Sequence, residues 1–465
     1  MPESYQAMSI VLPPGFDVAT GAPAARVEVP AATPSLRSRA IHGSVWTIAG
    51  HGLSQVLRLG GNLIMTRLLF PEAFGLMALV QIFTQAVQMF SDIGLRGSIV
   101  HNRRGDDREF LNTAWTLQVI RGLLLWGCLC LMAWPAAWFY EAPGLTKLIP
   151  VVGLAALING FESTAKHSLI RRIAPAKLVV MDLSIQLMAM GVMVAFAWVR
   201  PSVWALVVGG LFGAVARTLW SHFLIADYSN RFAFDRDAAR SLFRFGRWIL
   251  ISTALTFILS QADRVVLGKM LTTAELGVYA VAFFLSQAVL QAVRQVSTNI
   301  LIPVSAQLAK RGTPELRHQT ARFRATLLMA TVPPMCLLVV WGQQIIDLLY
   351  DDRYGGAGWM LQTLAVRSIG LIITIPASAV LLAVGDSFRQ MLLQVSRSVL
   401  FVVALVVGGL LGDVRGLLLG MAVAAVLEYP ILVVLIRRYG VWLPKLDITV
   451  FGLSTVSIAI GLCLS

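Results

Sequence analysis

RLLFPEAFGLMALVQIFTQAV, residues 67–87, and KMLTTAELGVYAVAFFLSQAV, residues 269–289, are two copies of one segment set 202 positions apart. The matched pairs are Arg67/Lys269, Leu69/Leu271, Gly75/Gly277, Ala78/Ala280 and Thr84/Ser286, followed by Gln85-Ala86-Val87 against Gln287-Ala288-Val289. Upstream, Trp46 falls on Trp248 at the same offset. Later matches, Gly209/Gly420, Ala214/Ala425 and Val215/Val426, run at an offset of 211, as expected if loop 306–321 is longer than its counterpart 100–110. A repeat of this length marks an internally duplicated architecture.

The 465 residues are 57% hydrophobic and 13% charged, with a mean hydropathy of +0.74. That is more apolar side chain than a soluble fold of this length can bury, so the chain is expected to be an all-α integral membrane protein. The formal charge of +14 does not indicate nucleic acid, because Lys and Arg sit in short loops between apolar runs and form no basic face. Cys128, Cys130, Cys336 and Cys463 lie inside apolar runs without metal spacing and read as packing residues. Neither a metal nor another cofactor is expected.

A hydrocarbon core about 30 Å thick needs roughly 20 helical residues. Apolar runs of that length occur at about 43–66, 72–95, 111–138, 146–168, 176–199, 202–226, 246–268, 275–305, 322–349, 358–384, 387–411, 414–438 and 447–465. With the N-terminus inside, 24 of the 38 basic residues fall on the cytoplasmic side, and only Arg67, Lys147, Arg200, Lys269, Arg353 and Arg415 fall outside. The expected organisation is a disordered cytoplasmic tail (1–40), an N-lobe of six spans (41–230), a C-lobe of six spans (231–440) and an additional C-terminal helix (441–465) without a repeat partner. The two six-helix repeats are parallel and enclose a central cavity. Met and aromatic positions in the spans are read as lipid-facing.

Polar residues inside the spans follow helical spacing. Gln81, Gln85, Gln88 and Asp92 fall on one face of the second span, and Gln287, Gln291, Arg294 and Thr298 repeat the pattern in the eighth. Gln390, Gln394 and Arg397 do so in the eleventh, and Asn159, Glu162 and Lys166 in the fourth. Charged side chains in hydrocarbon cost at least about 2.5–3.5 kcal/mol, so such stripes are expected to face a hydrated lumen between the lobes. Arginine outnumbers acid there, with Arg58, Arg96, Arg121, Arg217, Arg264, Arg294, Arg367 and Arg397 joined by Lys166, against Asp92, Glu162, Asp182, Asp263 and Glu428. A cationic lumen suits an anionic cargo, and the guanidinium fork suits phosphate. Arg58, Gln85, Asp92, Gln287, Gln291, Arg294, Arg367 and Arg397 are the candidate substrate-binding residues. Arg217 and Glu428, which correspond at the 211 offset, are candidates for an ion pair between the lobes. Replacing Arg294 or Arg397 by alanine is expected to lower export while leaving folding intact. External loops are short and carry no acid/base constellation, and no P-loop occurs, so the chain is not expected to be an enzyme or an ATPase.

RLLFPEAFGLMALVQIFTQAVQMFSDIGLRGSIV, FGRWILISTALTFILSQADRVVLGKMLTTAELGVYAVAF and LLYDDRYGGAGWMLQTLAVRSIGLI resemble, in order and spacing, the polysaccharide transporter branch of the multidrug/oligosaccharidyl-lipid/polysaccharide exporter superfamily, the Wzx-type flippases and exopolysaccharide exporters. The likeness covers about residues 40–440. It implies two six-helix bundles in a V within the bacterial inner membrane, alternating between inward-open and outward-open states. The implied cargo is an undecaprenyl-pyrophosphate-linked oligosaccharide for O-antigen or exopolysaccharide synthesis. Implied partners are membrane lipids and polysaccharide polymerase or assembly proteins, with a monomer as the transport unit. Some relatives use an ion gradient, for which Asp92, Glu162 and Asp182 are the candidates here. The rival readings are a cation-coupled drug antiporter of the same superfamily, which calls for an acidic cavity, and a membrane enzyme of envelope assembly.

Overall fold

The computed structural model describes residues 36–91, 107–164, 175–223, 230–236, 253, 256–309 and 313–464. In order these form α1 (Leu36–Leu68), α2 (Pro71–Phe90), α3 (Arg108–Phe139), α4 (Leu145–Gly160), α5 (Pro175–Val199), α6 (Trp204–Ser221) and α7 (residues 256–270). There follow α8 (Thr273–Val296), a π-helical turn (Ser297–Leu301), α9 (Ile302–Ala309), α10 (Thr313–Leu349), α11 (Ala357–Val384), α12 (Ser387–Ile436) and α13 (Pro444–Leu464). No strand occurs among the described residues. Eight of the described helices are long and apolar enough to cross a membrane, which makes the protein a multi-pass, all-α membrane protein. α12 reverses direction at Gly412 and at Asp413, whose φ is 50°, so that its two arms form an antiparallel hairpin matching the eleventh and twelfth runs.

Several boundaries differ from those read off the sequence. α1 begins at Leu36, inside the stretch expected to be a disordered tail; residues 1–35 lie outside those described. α10 begins at Thr313 rather than 322, with Pro314 in its first turn, where a missing N–H costs nothing. α4 stops at Gly160, not 168: Gln118 of α3 donates to the carbonyls of Asn159 (3.1 Å), Gly160 (3.2 Å) and Glu162 (3.0 Å), satisfying the helix end from outside. The π turn of the eighth run lies just before Pro303, whose ring and missing N–H prevent a regular α ladder there.

First-half helices pack mostly on one another (α3 on α4, α5 on α6, α1 on α5), as do second-half helices (α10 on α11, α11 on α8 and α12). The principal contact between the halves is α2 against α8. It is built from the opening repeat. A Cβ at Gly75 would lie 1.8 Å from the Thr273 carbonyl oxygen, and one at Gly277 would lie 1.9 Å from that of Pro71. Residues 71 and 273, like 75 and 277, are matched at the 202 offset, so this crossing is locally two-fold.

Around it, at the face carrying the short turns, Lys269 donates to the Phe139 carbonyl (2.9 Å) and to Glu141 (2.7 Å), and Tyr140 donates to the Val265 carbonyl (3.3 Å). Glu141 has a left-handed backbone, φ 55°, and the Lys269 ammonium holds its carboxyl below the usual range. Arg353 donates to the carbonyls of Thr66 (3.2 Å) and Arg67 (3.3 Å), and Tyr354 to that of Leu69 (3.3 Å). The largest apolar core, with Leu79, Leu129, Ile149, Leu276, Tyr279 and Tyr354, draws on both halves.

The C-terminal helix, unassigned from the sequence, packs on α10 and α11. Asp447 accepts from Arg324 of α10 at 2.8 Å, both side chains 1% exposed, and from Tyr429 at 3.0 Å. Trp442 donates to Tyr429 at 3.2 Å, completing the anchor.

Because the α2–α8 crossing has no room for a Cβ, Gly75→Val or Gly277→Val forces the backbones apart. Each substitution is expected to lower stability by about 1–3 kcal/mol, measured as thermal unfolding in nanodiscs, whereas Gly127→Ala, where nothing lies within 4 Å, should not lower it.

Candidate functional site

Residues from α7, α8, α11 and both arms of α12 enclose a cavity of about 580 Å³. α7 contributes Asp263 and Arg264, α8 contributes Gln287, Gln291 and Arg294, and the π turn adds Thr298. Arg367 comes from α11, Gln394, Arg397 and Glu428 come from α12, and Gln85 of α2 completes the wall. Four guanidinium groups face two carboxylates, leaving two net positive charges.

What matters chemically is how many of the arginine donors are already used. Glu428, 2% exposed, accepts from Arg397, and Asp263, 1% exposed, accepts from the Tyr279 hydroxyl at 2.6 Å. Arg264 lies 4.4 Å over the Phe283 ring and Arg367 5.0 Å over that of Phe401. Stacking on an aromatic face holds a guanidinium in place while leaving its in-plane N–H groups free to donate. Arg294 has no hydrogen bond or ion pair among the described residues; it is exposed to the lumen, within electrostatic reach of Arg367, Arg397 and Glu428. The chamber therefore offers several forked donors to an oxyanion that carries more than one negative charge.

A second cavity, of about 660 Å³, lies among α1, α4, α5 and α6, closed on one side by Phe284 of α8. Arg58, Asn62, Asn159, Asp182, Gln186 and Arg217 line it among Met, Leu and glycine positions. Arg217 and Asp182 approach to 3.5 Å, Arg58 donates to Ser54 at 3.4 Å, and Gln186 and Ser54 bond each other at 2.6 Å.

Among the described residues, the polar groups expected in one lumen between the lobes line at least two chambers. The glycine crossing holds α2 directly against α8, and Gln55, next to Ser54 of the first chamber, donates to Gln291 of the second at 2.6 Å. Gln261 of α7 donates to Gln85 of α2, both on the wall of the second chamber. Arg58 is thereby parted from Arg294, Arg367 and Arg397, which converge. Arg217 and Glu428 do not pair: each bonds a partner within its own helix hairpin, where close packing brings the two helices within reach, while positions matched by the repeat stay on opposite sides.

Of the ion-coupling candidates, Asp182 lines the first chamber, Glu162 lies beyond the end of α4 and lines neither, and Asp92 lies outside the described residues, as do Arg96 and Lys166. Arg121 is engaged away from both chambers, donating to Ser91 and to the Gln88 carbonyl, each at 3.0 Å. Phe283, Phe401 and Tyr279, read as lipid-facing, instead support charged groups of the second chamber. Ring stacking has no sequence period, and only the position of Phe283 beside the glutamine stripe pointed to it.

Residues 64–357 match the family described as "Polysaccharide biosynthesis protein". The chain belongs to that family. The matched region takes in both copies of the repeated segment and the α2–α8 crossing. Among curated relatives, the lipopolysaccharide biosynthesis protein WzxC of Escherichia coli (strain K12) is 23% identical over 430 residues, covering 88% of this chain and 85% of the relative. Among solved structures, the lipid II flippase MurJ in an inward closed conformation has a TM-score of 0.64 at 13% identity, covering 91% of this chain and 96% of that one. An inward-facing multidrug resistance MATE family transporter of the MOP superfamily has a TM-score of 0.61 at 14% identity, covering 84% and 94%. These two share the fold.

Removing Arg397 from this polysaccharide biosynthesis protein would strand Glu428 as an unpaired buried charge. Arg397→Ala is therefore expected to destabilise the fold by about 3–5 kcal/mol, contrary to the sequence expectation, whereas Arg397→Leu combined with Glu428→Leu should restore thermal stability to within about 1 kcal/mol of the original. Unfolding of the two variants in the same detergent measures the contrast.

Proposed function

We propose that the protein is a flippase that moves a polyprenyl-pyrophosphate-linked oligosaccharide across the bacterial inner membrane for surface polysaccharide synthesis, by alternating access. The observation that carries this reading is the second chamber. Arg294 has no partner among the described residues, Arg264 and Arg367 are held by aromatic faces with donors to spare, and two net positive charges remain. A diphosphate supplies the matching charge and acceptor geometry, and its polyprenyl chain can stay in the bilayer. Membership of a polysaccharide biosynthesis family and the fold shared with a lipid II flippase support the same cargo class.

The positive-inside asymmetry supports an orientation with the N-terminus and the basic loops in the cytoplasm and the short turns in the periplasm. In that orientation Lys269–Glu141, Arg353–Thr66 and Tyr354–Leu69 are periplasmic clasps, and delivery requires them to part. A drug antiporter of the same superfamily would call for an acidic chamber, whereas this one is basic. An envelope enzyme would need free acid/base groups at the short-turn face, but Glu141 and Asp351 are there in ion pairs with Lys269 and Arg353.

Deletion of the gene is expected to leave a lipid-linked glycan on the cytoplasmic leaflet, and the intact gene to clear it. Arg294→Ala should fold normally and reduce clearance about ten-fold or more, corresponding to loss of a charged hydrogen bond of about 1.5–3 kcal/mol, with Arg294→Lys restoring part of it. Normal surface polysaccharide without any accumulated intermediate would refute the flippase reading.

A further inference from the structure

We infer that the first chamber is the glycan subsite: it takes the sugar portion of the cargo while the second chamber takes the diphosphate. The inference rests on the flippase reading above. The two chambers carry arginine and carboxylate in the same ratio and differ in how far the carboxylates are exposed. The second has four arginines against two buried, engaged carboxylates. The first has two arginines and one carboxylate, and Arg217 and Asp182 sit 3.5 Å apart with about half of each side chain exposed. Their polar edges face the lumen as a donor beside an acceptor. Asn159 and Asn62 add amides carrying both functions. Neutral sugars present such alternating hydroxyl donors and acceptors around the rim of each ring and C–H groups on its faces. The apolar surfaces for those faces are Met190, Met193 and Phe284.

Gly209, Gly210 and Gly213 of α6 also line the chamber. Gly209 and Gly213 pack on α5, at Met193 and Ala189, whereas a Cβ at Gly210 would meet nothing within 4 Å, so this position leaves room where a side chain would stand. The volume, about 660 Å³, falls in the range of roughly 300–1,000 Å³ typical of small-ligand sites. The chambers are also adjacent. Ser54 faces one while its neighbour Gln55 bonds Gln291 of the other, and Phe284 and Phe283 stand on the two sides of α8. A cargo whose diphosphate rests on Arg294 and Arg367 places its first sugars at the Gln55–Gln291 bridge. The Gln55–Gln291 hydrogen bond is the polar contact that the sugars replace on passing into the first chamber.

The test uses the full-length protein in nanodiscs and two probes, a short-chain polyprenyl diphosphate without sugar and the same lipid bearing a disaccharide. Asp182→Asn removes the acceptor charge, and Gly210→Phe fills the chamber from a position with free space, so the second variant keeps the test meaningful where the first alters folding. Each is expected to weaken binding of the disaccharide lipid about ten-fold or more and to leave the sugar-free lipid within about two-fold of the original. Arg294→Ala should weaken both lipids. Unchanged binding of the disaccharide lipid in Gly210→Phe, or equal loss of both probes, would overturn the glycan subsite. Failure of the underlying flippase reading looks different: Arg294→Ala would then leave both affinities unaltered.

Discussion

A guanidinium within a hydrocarbon layer has to face a counter-charge, an aromatic ring or water, because lipid solvates none of its donors. Much of this molecule can be understood as ways of meeting that demand. Arg324 is the most deeply buried case, paired through one nitrogen with Asp447 in a contact that ties the C-terminal helix to α10. Arg397 is partly satisfied by Glu428. Arg264 and Arg367 lean on Phe283 and Phe401, which steady the cation but accept no conventional hydrogen bond. Arg294 is left facing the lumen. This gradation, from closed ion pair to open cation, separates the arginines that hold the fold from those equipped to hold a ligand.

The other constraint is the α2–α8 crossing. Two glycines related by the internal repeat let the carbonyls of Pro71 and Thr273 approach where a Cβ would stand. Tight backbone contact of this kind depends on shape rather than on hydrophobic attraction, which is weak between helices in lipid. It keeps the halves touching along one seam, and the polar clasps at the short-turn face add directional bonds at one end of it. Bonds such as Lys269–Glu141 lie in solvent-exposed turns, where an ion pair contributes at most about 1 kcal/mol, so they can exchange without unfolding either half. A seam that persists while its end contacts exchange suits two halves that rock against each other.

The hairpin pairs show how duplication and chemistry diverge. Asp182–Arg217 joins α5 to α6, and Arg397–Glu428 joins the two arms of α12. The second residues of the pairs correspond at the 211 offset, yet their charges are opposite. The halves have kept a bonded position in each hairpin while reversing its polarity. Each pair is neutral, so the two net positive charges of the second chamber come from its further arginines, Arg294 and Arg367, with Arg264 balanced by Asp263.

The amino-acid sequence by itself determined that this is a helical membrane protein built from a duplicated unit, because hydropathy and the 202-residue echo are local properties of the chain. It also marked Arg294, Arg367, Arg397 and the glutamines of α8 as misplaced in lipid, since helical spacing and charge cost need no fold to evaluate. Only the tertiary structure decided which of those residues meet. It separated Arg58 from the other three, gave Arg397 to Glu428 and ended α4 before Glu162. It also recruited Phe283, Phe401 and Tyr279 as supports. The reason is that periodicity assigns a residue to a face of its own helix, whereas the partner of that face is set by how closely two backbones approach. Here that approach is governed by bare glycine contacts between segments some two hundred residues apart.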